Sequence, residues 1–348
     1  MLEPEISMHK PAVALLNITY DCNNRCRWCY ASPMGFAKEM MPVGDAKRYL
    51  DLSKSLGITD VGLLGGEPTL HPGLVEIIRY AASIGIKICL YTNARRLSDA
   101  AYAKRLKEAG VYMVQADISS SDPKKYDWGT RVKGSYDEAV RGIENCHEQK
   151  LELRILSVLC SADFSNYRRL IDRFAPIASQ FVFFREIPVI TKLSEQKILS
   201  NAKTAGIIGK LYSYSKKRGI DASFYFSSPL CWFRKSFAEM MIKDGVLENY
   251  CHVLDGRCLS IDIDGRTIPC VHWPGYHMMP LKEGGLVLSA DDFMRKWNSA
   301  RLNGIRETLR RYPSRECARC SYYGTNCRGG CPLVKFELGP YVREYSMG

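Results

Sequence analysis

The 348-residue chain is 46% hydrophobic and 25% charged, with 49 Lys and Arg against 37 Asp and Glu and a formal net charge of +12. That composition excludes a disordered or fibrous chain, and the length is enough for a barrel-sized core plus a smaller domain. No apolar run approaches the roughly 20 residues of a membrane span, and the opening MLEPEISMHK is no signal peptide, so a cytoplasmic protein with no membrane partner is expected.

Short β-branched runs alternate with helical patterns along the first half. Val13–Thr19 (VALLNIT) reads as a strand, followed by a helix over 44–57 that stops at Gly57. A strand over 60–66 leads to a helix over 73–85, closed by Gly85. A strand over 86–92 leads to a helix over 98–110, with Ser98 as N-cap and Gly110 past its end. Strands over 111–118, 151–159 and 180–187 alternate with helices over 135–150 and 166–175. Strands this apolar are covered on both faces. Six such β/α steps predict a partial (β/α)6 TIM-like barrel, with an open doubly wound sheet as the other arrangement. Functional residues then belong on the loops that follow strands, where CNNRC, GGEPTL, TNA and DISSSD all stand.

Past about residue 190 the pattern changes. A helix over 195–218 leads to a hairpin, CLSIDIDGRTIPC, in which Asp264–Gly265 predicts a two-residue turn. A helix over 290–311 precedes CARCSYYGTNCRGGCP. The domain boundary falls near residue 220, giving residues 1–220 and a small cysteine-rich domain of hairpin and helices over 221–348.

Fourteen cysteines in a reducing compartment point to metal ligation rather than disulfides. Cys22, Cys26 and Cys29 form CxxxCxxC on the loop after the first strand. A tetrahedral zinc site wants four ligands, and this loop offers three. A [4Fe–4S] cube takes three thiolates and leaves one iron open to an outside ligand. A second group comprises Cys251, Cys258, Cys270, Cys317, Cys320, Cys327 and Cys331. Cys89, Cys146 and Cys160 read as core. Cys231 reads as an extra ligand, a substrate-facing thiol or an inert packing residue.

CxxxCxΦC with Trp28 at Φ resembles the radical S-adenosylmethionine (SAM) enzymes. The resemblance implies that the open iron binds the amino and carboxylate groups of SAM and that Trp28 lies by the adenine. Gly65–Gly66–Glu67 resembles the GGE motif of that family, whose backbone accepts the SAM ammonium, with glycines permitting close approach. TNA, ending at Ala94, resembles Thr-Asn-Gly with Ala for Gly, and Asn93 shapes that loop. The stretch VQADISSSDPKKYDWGTR resembles the segment that contacts the SAM ribose and carboxylate. By that resemblance Asp117 would accept ribose hydroxyls and Arg131 would pair with the carboxylate.

The late cysteines resemble the SPASM domain that follows many radical SAM barrels and holds one or two auxiliary [4Fe–4S] clusters. By that resemblance Cys251, Cys258, Cys270 and Cys331 hold the first, and Cys317, Cys320 and Cys327 the second. The fourth ligand of the second stays open between an open iron, Glu337, Cys231 and a zinc site in place of a cluster. Bound clusters with their thiolates carry about −1 to −2 each, which offsets part of the positive charge. The basic residues are interspersed with acids, and no nucleic-acid partner is expected.

The implied chemistry is reductive cleavage of SAM to a 5′-deoxyadenosyl radical, which abstracts a substrate hydrogen atom. The substrate expected is a ribosomal precursor peptide, crosslinked or oxidised, with a dehydrogenase, epimerase or lyase acting on a sugar or antibiotic-type small molecule as the alternative. About twelve residues precede the first strand, so a peptide would need a separate leader-binding protein. Flavodoxin or ferredoxin would supply the electron. A sulfatase-type maturase is disfavoured because Val271 and His272 follow Cys270, where those relatives carry Asp. A non-enzymatic electron carrier is disfavoured by GGE beside the cysteines. No general acid or base is assigned.

Overall fold

A computed structural model describes residues 9–187, 198–225, 229–248, 251–310, 317 and 319–331. The first strands and helices alternate as β1 (Val13–Thr19), α1 (Val43–Ser55), β2 (Asp60–Gly65), α2 (Leu74–Ser83), β3 (Lys87–Thr92), α3 (Ala100–Ala109) and β4 (Met113–Asp117). Then come α4 (Pro123–Thr130), α5 (Ser135–Glu148), β5 (Glu152–Leu159), α6 (Phe164–Phe174), β6 (Gln180–Arg185) and α7 (Asn201–Arg218). The remainder holds β7 (Ala222–Tyr225), α8 (Lys235–Lys243), β8 (Leu247–Glu248), α9 (His252–Asp255), β9 (Cys258–Ile261), β10 (Arg266–Ile268), β11 (Met279–Pro280), α10 (Ala290–Trp297) and α11 (Ala300–Arg310).

These strands form one sheet of eleven in the order β11-β10-β9-β1-β2-β3-β4-β5-β6-β7-β8. Pairing is parallel from β9 through β1 to β8 and antiparallel only at β9–β10 and β10–β11. This is the parallel, partial TIM-like α/β architecture that the β/α alternation predicts. The sheet runs on past residue 220 through β7 and β8. On its other edge β9 lies against β1, with Val13 opposite Cys258 and Leu16 opposite Ile261.

The strands show why they are apolar throughout. In β1, Ala14, Leu16 and Ile18 are fully buried beneath the helices, while Val13 and Leu15 are half-buried on the other face. In β5 the same alternation leaves Arg154, Leu156 and Val158 half-buried. The helices close the outside with Leu50, Ile77, Ile78, Leu106, Ile143 and Leu170. Burial of each such side chain contributes about 1.5–3 kcal/mol.

Several local expectations are corrected. Asp99, not Ser98, caps α3 by accepting from the Ala101 amide at 2.9 Å, because Ser98 closes a short 3-10 turn over Arg95–Ser98. Helix α7 begins at Asn201 under a Ser200 cap rather than at 195. Among the hairpin residues, Asp262 N donates to Arg266 O, so Ile263, Asp264 and Gly265 form a three-residue loop with Gly265 left-handed at φ 76°. The helix expected over 290–311 is two, broken at Asn298 and Ser299. The Asn298 side chain accepts from His9 N at 2.8 Å and donates to His9 O at 3.1 Å, which fastens the chain entering β1. Helices α4, α8 and α9 had no predicted counterpart.

Candidate functional site

The loop after β1 carries Cys22, Cys26 and Cys29, and the structure brings the three thiols into one electrostatic group. Burial is the main influence on each. It pushes the Cys22 thiol up to about 12 and the Cys29 thiol up to about 11, and raises Cys26 well above its ordinary value, with Cys29 and Cys22 next in effect on Cys26. The Asn24 amide donates to Cys22 Sγ at 3.3 Å. Such amide-to-sulfur bonds favour a thiolate once the proton is displaced.

The loop is held from outside by α4. Arg25 N donates to Thr130 O and Arg27 N to Gly129 O, each at 2.9 Å. Trp28 lies over Gly129 so closely that a Cβ there would come within 2.5 Å of its ring. The Arg27 guanidinium stacks on Trp128 at 3.9 Å from the ring centroid. The segment that the sequence offers for Arg131 therefore acts through its backbone acceptors. Arg131 itself is exposed at the end of α4, in a left-handed conformation at φ 58°.

Beside the cysteine loop, β2 ends in Gly65 and Gly66. A Cβ on Gly65 would stand 2.2 Å from Thr19 O, and one on Gly66 2.2 Å from Asp21 O. Gly66 N donates to Thr19 O and Glu67 N to Asp21 O, both at 2.7 Å, so the turn is stitched to the residue preceding Cys22. Only glycine permits this approach.

Glu67 points inward and is 1% exposed. Its Oε1 accepts from Thr69 Oγ1 at 2.6 Å and Thr92 Oγ1 at 2.7 Å, and its Oε2 accepts from Asn93 N at 2.8 Å. Burial raises its pKa against those bonds. Glu67 is thus a brace for the loop after β3 rather than an open group. On that loop Asn93 donates to Asn23 Oδ1 at 2.7 Å and reaches Cys22 Sγ at 3.9 Å. Ala94 is left-handed at φ 61°, the conformation that a glycine would occupy without strain.

Asp117 ends β4. Burial pushes its carboxyl up to about 6; Ser119, donating to Oδ1 at 2.9 Å, opposes this, and the Glu67 charge adds to it. Asp117 also lies within electrostatic reach of Cys26 and Cys29. Glu186, one residue past β6, was not singled out by sequence. It is 4% exposed, its Oε2 has no hydrogen-bond partner among the described residues, and burial pushes it up to about 7. Cys160, past β5, feels both Glu186 and Asp117. The only sequence signal for Glu186 is a carboxylate directly after an apolar barrel strand.

The late cysteines separate into two groups. Cys270 lies within electrostatic reach of Cys331, Cys251 and Cys258. His272 N donates to Cys270 Sγ at 3.4 Å, its Nδ1 lies 3.3 Å from that sulfur, and its ring meets Tyr30 edge-on at 5.2 Å. Tyr30 follows Cys29 and donates to Gly65 O at 3.2 Å, so the two cysteine groups are joined through packed rings. The other group is Cys317, Cys320 and Cys327, with Cys231 in reach of all three. Glu337 lies outside the described residues. Among the described residues no three His, Cys, Asp or Glu converge as they would on a single metal ion. A cube does not ask for that, since each thiolate takes its own iron.

Residues 16–160 match the family model of the Radical SAM superfamily. The chain carries a radical SAM domain. The enzymes built on it use SAM and a [4Fe–4S] cluster, and the three-thiol loop packed on the Gly65–Gly66 turn fits both. Fe-coproporphyrin III synthase of Methanosarcina barkeri is 31% identical over 150 residues, 43% of this chain and 37% of its own length. The radical SAM chain thus spans little more than a third of that relative. Mycofactocin maturase MftC of Mycobacterium tuberculosis is 26% identical over 346 residues, 96% of this chain and 82% of its own. Among solved structures, SuiB of Streptococcus suis bound to S-adenosylmethionine superposes with a TM-score of 0.73 at 19% identity, covering 93% of this chain and 74% of SuiB. SuiB has also been solved bound to precursor peptide SuiA. Among the described residues no helix is long and apolar enough to cross a membrane.

Proposed function

We propose that this radical SAM enzyme binds SAM between the Cys22–Cys29 loop and the Gly65–Gly66 turn and uses it to crosslink or oxidise a ribosomally made precursor peptide. The observation that carries the reading is the group of three desolvated thiols on a loop stitched by backbone hydrogen bonds to the Gly65–Gly66 turn, which it approaches too closely for any side chain there. Bound there, the cluster and SAM supply a 5′-deoxyadenosyl radical that takes a hydrogen atom from an unactivated carbon.

The chain's own residues hold and shield. Cys22, Cys26 and Cys29 would each take one iron, losing their protons as they do so. Gly65 and Gly66 present backbone to the SAM ammonium. Trp28, fixed by Gly129, offers a ring face to the adenine. Asp117 would accept ribose hydroxyls when ionised. Glu67 and Asn93 position the loop beneath. Arg131, exposed, would reach the carboxylate only by turning inward. Cys251, Cys258, Cys270 and Cys331 would hold an auxiliary cluster in a SPASM-type domain over residues 221–348. Flavodoxin or ferredoxin would deliver the electron.

The relationship to MftC, a maturase, runs over nearly the whole chain and supports the peptide reading. The relationship to Fe-coproporphyrin III synthase supports a small-molecule substrate, but over less than half the chain. Anaerobic protein loaded with iron and sulfide should release 5′-deoxyadenosine from SAM with dithionite, and a precursor peptide encoded nearby should lose two hydrogens. The combined Cys22→Ala, Cys26→Ala and Cys29→Ala protein should do neither. Absence of 5′-deoxyadenosine from the loaded wild-type protein would overturn the whole reading. Turnover of a small molecule with the peptide unchanged would overturn the peptide half.

A further inference from the structure

We propose that Cys231 supplies the fourth thiolate of the second auxiliary iron–sulfur site, completing the set begun by Cys317, Cys320 and Cys327. The inference rests on the radical SAM reading above and concerns a different part of the molecule.

The segment 317–331 has four cysteines, and its own fourth is committed elsewhere. Cys331 lies within electrostatic reach of Cys270, a member of the other group. Three thiols remain on a tight double turn. Cys320 N donates to Cys317 O at 3.1 Å, Tyr323 N to Cys320 O at 3.1 Å and Cys327 N to Tyr322 O at 2.9 Å. The Gly329 amide donates to Cys327 Sγ at 3.3 Å, as Asn24 does to Cys22 in the first loop.

Cys231 comes from far away in sequence. It sits in the 3-10 turn Leu230–Trp232. Leu230 is 2% exposed and anchors that turn, while Cys231 itself is exposed. Helix α8 starts four residues later, and the Tyr322 hydroxyl donates to Glu239 Oε1 on it at 2.8 Å. That bond ties the cysteine turn to the helix that follows the Cys231 turn. The thiol of Cys231 accordingly lies within electrostatic reach of Cys327, Cys317 and Cys320.

Four sulfurs from two clamped segments suit a cube, whose four irons each want one thiolate. A fully ligated centre here would transfer electrons without an open iron for substrate. Zinc held by Cys317, Cys320, Cys327 and Cys331 is disfavoured by the same partition, since it needs Cys331 in the wrong group. Arg234, Lys235 and Arg319 flank these cysteines and are exposed, an electrostatic setting that favours a net negative centre.

The test uses the full chain, loaded anaerobically with ferrous iron and sulfide. Wild-type protein should bind about twelve irons, three cubes at four each. Cys231→Ala should lose about four of them, or keep them with an altered EPR signal that changes again when an external thiol is added. Cys231→Ser should give the same loss or a shifted signal. Cys160→Ala, a cysteine in neither group, should match wild type. Because Cys231 is exposed, its variants should fold, and the apo-protein melting curves should coincide with wild type. Cys231→Ala that retains all the iron with a superimposable EPR spectrum would overturn the assignment. So would a wild-type iron content that Cys317→Ala leaves unchanged. Loss of the SAM-perturbed signal belongs to the Cys22, Cys26 and Cys29 variants, so failure of the parent reading would show separately.

Discussion

Glu186 is a carboxyl buried at the end of a barrel strand with one oxygen unpartnered, and its folded pKa of about 7 stands above the ordinary 4.5. Between those values the folded chain holds a proton that the unfolded chain has released. Stability should therefore fall by about 3 kcal/mol as pH rises from about 4.5 to 7, and be flat with respect to this group below 4.5. Glu186→Gln should remove that slope, which thermal melts across the same pH window would reveal. An unchanged slope would mean that another group carries it. Ala94 offers the opposite case. Its left-handed backbone at φ 61° is strained for any side chain. Ala94→Gly should stabilise by on the order of 0.5–1 kcal/mol, after allowing for the freer unfolded chain. Urea titration would show the midpoint rising with the slope unchanged.

At the scale of elements, the cysteine loop is shaped by neighbours rather than by itself. Gly129 and Thr130 of α4 accept its amides, and Trp28 fills the space that a Gly129 side chain would need. Gly129→Val should push Trp28 off its seat and weaken SAM binding at least tenfold, read by equilibrium titration of the loaded protein. An unaffected affinity would separate Trp28 from the adenine. This dependence explains what the sequence could and could not say. Cys22, Cys26, Cys29, Gly65 and Gly66 are legible because spacing and residue type carry their chemistry within a few positions. The inward turn of Glu67, the backbone role of Gly129 and Thr130, and the carboxyl of Glu186 depend on strands and helices meeting across the barrel. Nothing local to those residues announces it. Cys231 is legible as one candidate ligand among several, but its nearness to Cys317, Cys320 and Cys327, about ninety residues downstream, depends on the fold. Helix α4 escaped notice because its eight residues, PKKYDWGT, are short, polar and lack an apolar stripe.

Across the whole molecule, iron is a structural load as well as a reagent. Desolvation raises the Cys26, Cys258 and Cys270 thiols, so a thiolate at any of them is costly until a metal displaces the proton. Metal that binds the folded state alone stabilises it by mass action. Stripping the loaded protein with a chelator should lower its melting temperature by several degrees, more than the combined Cys22→Ala, Cys26→Ala and Cys29→Ala substitutions do, because the late cysteines contribute too. Equal shifts would place all the stabilisation at the first loop. The sheet adds a consequence in time. β1 is flanked by β2 on one side and β9 on the other, and Asn17 reaches Asp262 over a separation of 245 residues. On a ribosome moving at about 5–20 residues per second, the strand that feeds the first cysteines waits roughly 12–50 seconds with one hydrogen-bonding flank bare. Assembly of the reactive centre is in that sense a late event of biosynthesis. Any factor that hands iron to the nascent chain too early would meet three thiols on a strand whose second neighbour has not yet been made.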